Sequence, residues 1–258
     1  MKKALLFFFI AQLLFSCKKE EIVVIKKINF NPNITYGTIK DIDNNLYKTV
    51  VIGSQTWMAE NLRTTKYNDG IDIPYISNDN EWGNIENGAF CTYYNTDNKD
   101  TIEIYGRLYN WHAVKTNKLC PIGWHVPNEN DWQELANYLG DEFTCGGKLK
   151  ERNTDHWIYP NISATNESGF TALPAGERSV LINRETNEKQ IFYYFAGEHG
   201  SFWSSSPIDY EEPFGPVTDT LFAHSSTLLS DTIEEWDKYL LLTYSSLNTG
   251  LSIRCLKD

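Results

Sequence analysis

Cations are scarce relative to acids: 23 Lys and Arg stand against 34 Asp and Glu, a formal charge of −11. The cations are scattered rather than gathered in a stripe, and a nucleic-acid partner is excluded, because binders of the phosphate backbone carry a basic patch. Long apolar runs are missing too: a bilayer span takes about 20 residues, and the most apolar stretch, Ala4 to Phe15, is shorter. The Gly-x-Ser-x-Gly elbow, the Walker A loop and the Rossmann glycine fingerprint are absent, which removes the most readable classes of enzyme. His112, His125, His156, His199 and His224 show no His-x-x-x-His or His-x-His spacing, so no zinc site is expected, and no cofactor is predicted. From Tyr36 onward there is neither a low-complexity break nor a repeat of fixed period. With 41% hydrophobic residues and eight Trp, the chain has material for one large core, and a single domain over 36–258 is expected.

The N-terminus reads as an address. Lys2 and Lys3 precede the apolar stretch, the pattern of a secretory signal over 1–16, and the stretch closes on Leu14-Phe15-Ser16-Cys17. This closing tetrapeptide resembles the lipobox of bacterial lipoproteins, in which the cysteine is acylated and becomes the mature N-terminus, here Cys17. Multiple acyl chains anchor a protein stably where one does not. Lys18-Lys19-Glu20-Glu21 is similar to the Lys-then-acids signal that sends lipoproteins of the Bacteroidota to the outer face of the outer membrane. The expectation is an outer-membrane lipoprotein exposed on the cell surface. Residues 17–35 then form a lipidated tether and linker, with an edge strand expected from the apolar run that opens at Ile22.

In the body, strands are expected over Thr38–Asp41 and Leu46–Ile52 around Asp43-Asn44-Asn45, and over Gln55–Met58 after a Gly53-Ser54 turn. Asp41 to Leu46 imitates the start of a calcium loop, but Leu46 stands where Gly is required, so it reads as a hairpin turn. The many Asp and Asn of the loops leave room for a structural calcium elsewhere. After Pro127, Asn128 is a good N-cap, Glu129 and Asp131 occupy the first turn and Gly140 supplies the stop. Trp132, Leu135, Ala136 and Leu139 make one buried stripe of that helix. A second short helix is expected over Gly106–Val114. A terminal hairpin is expected to join Lys238–Tyr244 to Leu251–Leu256, with loops holding most of 141–235 and only short strand-like pieces such as Ile191–Phe195 between them.

A succession of motifs runs through this body: Gln55-Thr56-Trp57-Met58-Ala59-Glu60-Asn61-Leu62, Tyr105-Gly106-Arg107-Leu108-Tyr109-Asn110-Trp111, Cys120-Pro121-Ile122-Gly123-Trp124-His125-Val126-Pro127, Gly146-Gly147-Lys148-Leu149-Lys150, Ser168-Gly169-Phe170-Thr171-Ala172-Leu173-Pro174, Phe202-Trp203-Ser204-Ser205-Ser206 and Ser252-Ile253-Arg254-Cys255. In order and spacing they resemble the Fibrobacter succinogenes major paralogous domain, over about 38–258. Their Trp-His-Val-Pro, Asp-Trp and Ser-Ile-Arg-Cys ends also look like parts of the formylglycine-generating enzyme fold, a variant of the C-type lectin fold. The resemblance implies an α+β, C-type lectin-like single domain with β-hairpins, two short helices and long loops. It implies no activity. The lectin calcium triplet has no match, since Glu212-Pro213-Phe214 and Trp203-Ser204-Ser205 lack the oxygens.

Past Cys17 four cysteines remain, an even number in an exported chain, and three disulfide connectivities are open. The resemblance favours Cys120 with Cys255, since their strands are neighbours in that fold, and leaves Cys91 with Cys145. Aromatics in the loop-rich region, Trp157, Tyr159, Tyr193, Tyr194 and Trp236, are the candidates for an exposed ligand platform. The function expected is a lipid-anchored, lectin-like binding module for an extracellular ligand, a glycan or a cell-surface protein, with no catalytic residue assigned. The alternatives are an oxidase or hydrolase on the same scaffold and a structural component of the envelope.

Overall fold

The computed structural model describes residues 26–182, 186, 188–208, 222–230 and 236–258. The signal region, Cys17, the Lys18–Glu21 run and Glu212–Phe214 lie outside the described residues. The architecture is mixed α and β, dominated by strands. The first hairpin pairs β1 (Gly37–Lys40) with β2 (Leu46–Ile52), and β3 (Gln55–Met58) follows across Gly53-Ser54. Asn44 takes a positive φ in the first turn and Gly53 in the second. The acids of the calcium-like run are occupied within the fold: Asp41 accepts from Asn45 and from the Tyr47 hydroxyl at 2.6 Å, and Asp43 accepts from Thr65.

Among the described residues, asparagine starts four of the five α-helices. Asn78, Asn98, Asn110 and Asn128 cap α1 (Asp79–Asn84), α2 (Lys99–Tyr105), α3 (Trp111–Val114) and α4 (Glu129–Leu139), each side chain accepting a first-turn N–H. α4 carries the expected stripe and a full capping box between Asn128 and Asp131. α5 (Gly146–Leu149) lies beyond it. The helix expected over Gly106–Val114 is reduced to the single turn of α3. Gly106, at φ +73°, ends α2, and Leu108–Tyr109 (β5) is drawn into pairing with Phe90–Cys91 (β4). Asn110 Oδ1 accepts from Ala89 N and Ala113 N together, which fixes the switch from strand to helix at that residue.

The stretch expected to be loop with short strand-like pieces holds the longest strands among the described residues, and the piece at Ile191–Phe195 extends into one of them. β6 (Trp124–His125) precedes α4. Further along run β7 (Ala175–Ile182), β8 (Lys189–Ala196), β9 (His199–Pro207), β10 (Phe222–Leu229) and β11 (Leu240–Ser246). β7 and β8 form one antiparallel ribbon, and β11-β10-β9 a three-stranded sheet. Ser and Thr are abundant here because hydroxyls bond across strands, Thr227 to Ser201 and Ser225 to Ser245. The terminal hairpin does not form. β11 pairs with β10, while the last segment bridges Tyr109, Arg178 and Phe202 before β12 (Leu256–Lys257) slots between β3 and β6 in the sheet β1-β2-β3-β12-β6. Every residue from Leu251 to Leu256 is buried, so its alternation separates two covered faces.

Two large apolar clusters share this frame. One packs Val50 and Trp57 against Trp132 and Leu135 of α4, Phe170 and Phe202; the other gathers Tyr47, Met58, Tyr109, Trp203 and Ile253. The seam between them holds a charge. Arg254, with no exposed surface, donates Nε to Asn61 Oδ1 at 2.7 Å, Nη1 to Met58 O and Phe170 O, and Nη2 to Thr171 O, with Phe170 and Phe202 rings at its guanidinium. Burial pulls its pKa down to about 9, which leaves it charged at neutral pH. Cys255, the next residue, is bonded to Cys120 as expected, across 135 residues of sequence. Cys91 and Cys145 do not pair. Each is a free, buried thiol, Cys91 in the small cluster around Trp82 and Cys145 in the cluster of α4.

Residues 26–36 form no strand, and the edge strand is not found there. They dock on the body instead. Asn29 N donates to Glu151, Asn31 to Asn166 O, and His156 bridges Glu151 and the Lys26 carbonyl from buried positions. Replacing Arg254 by Leu leaves four buried acceptors without a donor, each costing roughly 1–3 kcal/mol, so a loss of at least about 4 kcal/mol is expected from the denaturant midpoint. A variant within about 1 kcal/mol of the parent contradicts this account of the seam.

Candidate functional site

The ribbon β7-β8 has a buried and an open face. Arg178, Val180, Ile191 and Tyr193 turn inward, against Trp82 and the turn Tyr93–Asn95. Arg178 donates to the carbonyls of Ile76 and Ser77 and pairs with Asp79 at 2.5 Å, its guanidinium 4.6 Å from the Trp82 ring centre. Tyr193 donates to Asn95 Oδ1 at 2.9 Å, and Tyr93 takes the N–H of Ala196. Period-two alternation therefore sends Phe192 and Tyr194 to the opposite face.

On that face four rings follow one another. Phe192 and Tyr194 lie 5.4 Å apart, Tyr194 and Phe195 5.4 Å, and Phe195 stacks on the His199 imidazole at 3.9 Å and 13°. Phe195 should alternate away from Tyr194. It joins the row because its φ is +65°, a left-handed conformation that a bulky residue adopts only when its surroundings force it. The partner position is Gly176, also left-handed at +65°, where a Cβ would meet Tyr194 O at 2.4 Å and Ala196 N at 2.7 Å. Glycine there is a requirement of the corner. Phe192 and Phe195 remain 39% and 38% exposed, and Tyr194 and His199 are half-buried.

The five aromatics expected to form a platform have separate fates. Tyr194 belongs to this row. Tyr193, one residue away, supports it from beneath. Tyr159 is 84% exposed, and the Ile158 N–H bond to Gly197 O brings its backbone beside the same corner. Trp157 is a correction: it is buried, with Nε1 donating to Ala172 O, and offers nothing to a ligand. Trp236 is exposed but stacks on Tyr239, beside Phe143, in a separate cluster. Phe192, Phe195 and His199 went unread in the sequence.

The free thiols suit no chemistry at this face. Burial pushes Cys91 up to about 11 and Cys145 to about 12, so both are protonated and enclosed. Among the described residues no group of three His, Cys, Asp or Glu is placed to hold a metal ion, and no helix is long and apolar enough to cross a membrane.

The Fibrobacter succinogenes major domain matches residues 50–257 of this chain. The chain belongs to that family. No curated protein and no solved structure matches it. Within this family member, the β2–β3 hairpin, the Trp-His-Val-Pro strand, the α4 stripe and the Ser-Ile-Arg-Cys segment meet in the core, whereas the aromatic row of β8 lies outside those motifs.

Burial lowers His199 to about 4, against about 6.5 for an unfolded histidine. A group with a depressed folded pKa stabilises the fold fully above its unfolded value, and the contribution is lost as pH falls from about 6.5 towards 4. An NMR titration of the imidazole protons should show His199 neutral at pH 5.5. A midpoint near 6.5 contradicts the buried, stacked placement.

Proposed function

We propose that this family member is a lipid-anchored, cell-surface module of C-type lectin-like architecture that binds an extracellular glycan on the aromatic row of β8. One observation carries the reading: Phe192, Tyr194 and Phe195 of β8, with His199 at the start of β9, form a continuous, partly exposed line of rings beside a ribbon whose other face is fixed. Aromatic faces give a large contact area with few rotatable bonds and accept C–H-rich surfaces, while the Tyr hydroxyl and imidazole supply polar contacts. Sugar rings present that combination of an apolar C–H face and an equatorial rim of hydroxyls. A strained backbone that brings a fourth ring into line is the kind of feature retained at binding sites.

The address supports the same reading. A signal over 1–16, acylation at Cys17 and the Lys18–Glu21 export signal would hold the domain outside the outer membrane, where polysaccharides are the abundant ligands. Without Lys2 and Lys3 of the signal the chain keeps 21 Lys and Arg against 34 Asp and Glu, a charge of −13, and such an acidic surface stays soluble beside an anionic membrane. The lectin-like architecture is supported by hairpins packed with short helices and by a terminal strand bonded through Cys120–Cys255 into the sheet.

The test uses the full chain with Cys17→Ser, exported so that its disulfide forms, against a panel of polysaccharides. Tyr194→Ala and Phe192→Ala should each weaken the strongest interaction tenfold or more, with Trp236→Ala close to the parent. Because the rings act through their faces, binding should survive a calcium chelator. Unchanged affinity in both β8 variants contradicts the proposal.

A further inference from the structure

A groove of about 1030 Å³ lies between the docked N-terminal segment, the β1–β2 hairpin and α2, and the β8 row does not border it. Five cations line it, Lys27, Lys48, Arg63, Lys99 and Arg107, against the carboxylates Glu60, Asp100 and Glu103. A surplus of two positive charges is therefore concentrated here on an acidic chain.

Two of the eight charges are occupied with each other and with the backbone. Glu60 accepts the Lys48 N–H at 2.6 Å and lies 3.5 Å from Arg63, whose Nη2 donates to Leu46 O while its guanidinium rests 4.3 Å from the Tyr47 ring centre. Arg107 spends only Nε, on Arg63 O at 2.8 Å, and lies over the Phe90 ring. Its terminal nitrogens meet no acceptor among the described residues. The Lys48 ammonium is held 4.7 and 5.1 Å from the Phe30 and Tyr36 ring centres and has no oxygen partner among those residues either. Lys99, Asp100 and Glu103 stand exposed on α2, at the rim.

We propose that this groove binds a phosphomonoester. A positioned guanidinium with both terminal nitrogens open, joined by an ammonium steadied on aromatic faces, matches the several acceptor oxygens of such a group. Its charge near −2 at neutral pH balances the surplus, and Ile28, Phe30 and Ile102 offer an apolar wall to the organic part. Two sources share this chemistry, a soluble sugar phosphate and a phosphorylated lipid headgroup. The second rests on the proposed anchor. From Cys17 to Lys27 an extended chain reaches at most about 35 Å, so headgroups are within range of the groove.

The full chain with Cys17→Ser, exported and oxidised, is titrated calorimetrically with glucose 6-phosphate and with glucose. It is also sedimented with phosphatidylcholine vesicles, with and without phosphatidic acid. Binding of glucose 6-phosphate but not glucose supports the proposal with a soluble source. Binding only to vesicles that contain phosphatidic acid supports it with a lipid source. In either case Arg107→Gln and Lys48→Gln should weaken binding tenfold or more, and the exposed Lys99→Gln, which has no partner to lose, by about threefold. Preference in neither arm, or a loss in Arg107→Gln and Lys48→Gln no larger than in Lys257→Gln, outside the groove, overturns the proposal. Tyr194→Ala should leave this binding unchanged, which separates its failure from failure of the glycan reading.

Discussion

A single buried guanidinium holds together three parts of the chain that are far apart in sequence. Among the described residues Arg254 makes no direct ion pair, the nearest opposing charge being Glu60; its hydrogen bonds go to one amide oxygen and three main-chain carbonyls, from the end of β3 with the segment after it and from the turn at 166–171. A buried ion that lacks a direct ion pair is tolerated only when hydrogen bonds of this quality surround it. The arrangement makes those two segments depend on the C-terminal strand, which the Cys120–Cys255 bond then fastens to the region before β6. The aromatic clusters on either side pack against this fixed seam.

Away from the seam, rigidity is local and supplied differently. The β7-β8 ribbon leans on the body through Arg178, a second buried cation, and through Tyr193 with the turn at Tyr93–Asn95. One face is locked, and the other is left to display rings. The N-terminal segment is likewise held by the Glu151–His156 pair, and in docking it builds one wall of the cationic groove. The two proposed sites thus use different elements and opposite chemistries, ring faces on one and a surplus of cations on the other.

The sequence was most legible where local chemistry and tertiary packing agree. α4 followed from Asn128, the acids of its first turn and a stripe at helical spacing; the first three strands followed from two turns and alternation. It was least legible where tertiary contacts override local signals. Gly106 to Val114 carries helix-compatible spacing, yet strand pairing with Phe90–Cys91 claims its middle. Leu251 to Leu256 alternates like an edge strand although both of its faces are covered. Hydroxyl-rich β10 reads as loop, and β9 only as a strand end around Trp203, because cross-strand hydroxyl pairs leave no mark on hydropathy. At the candidate site Tyr193 and Tyr194 were read as equals, but strand periodicity places them on opposite faces. The left-handed turn of Phe195 depends on Gly176, nineteen positions earlier, and no local pattern announces it. The pairing of Cys91 with Cys145 fails for a plain reason: the two thiols sit in different clusters.

Central to this account is the assignment of the exposed face of β8 as the surface that meets the ligand. The most direct measurement is an NMR titration of the isotope-labelled Cys17→Ser chain with whichever polysaccharide fragment binds it, following the aromatic and imidazole side-chain signals. The account predicts the largest shifts at Phe192, Tyr194, Phe195 and His199, smaller ones at Tyr159, and none at Trp157 or Trp236. Shifts centred on Trp236 and Phe143, or on the groove beside Arg107, with the β8 signals unmoved, would contradict it.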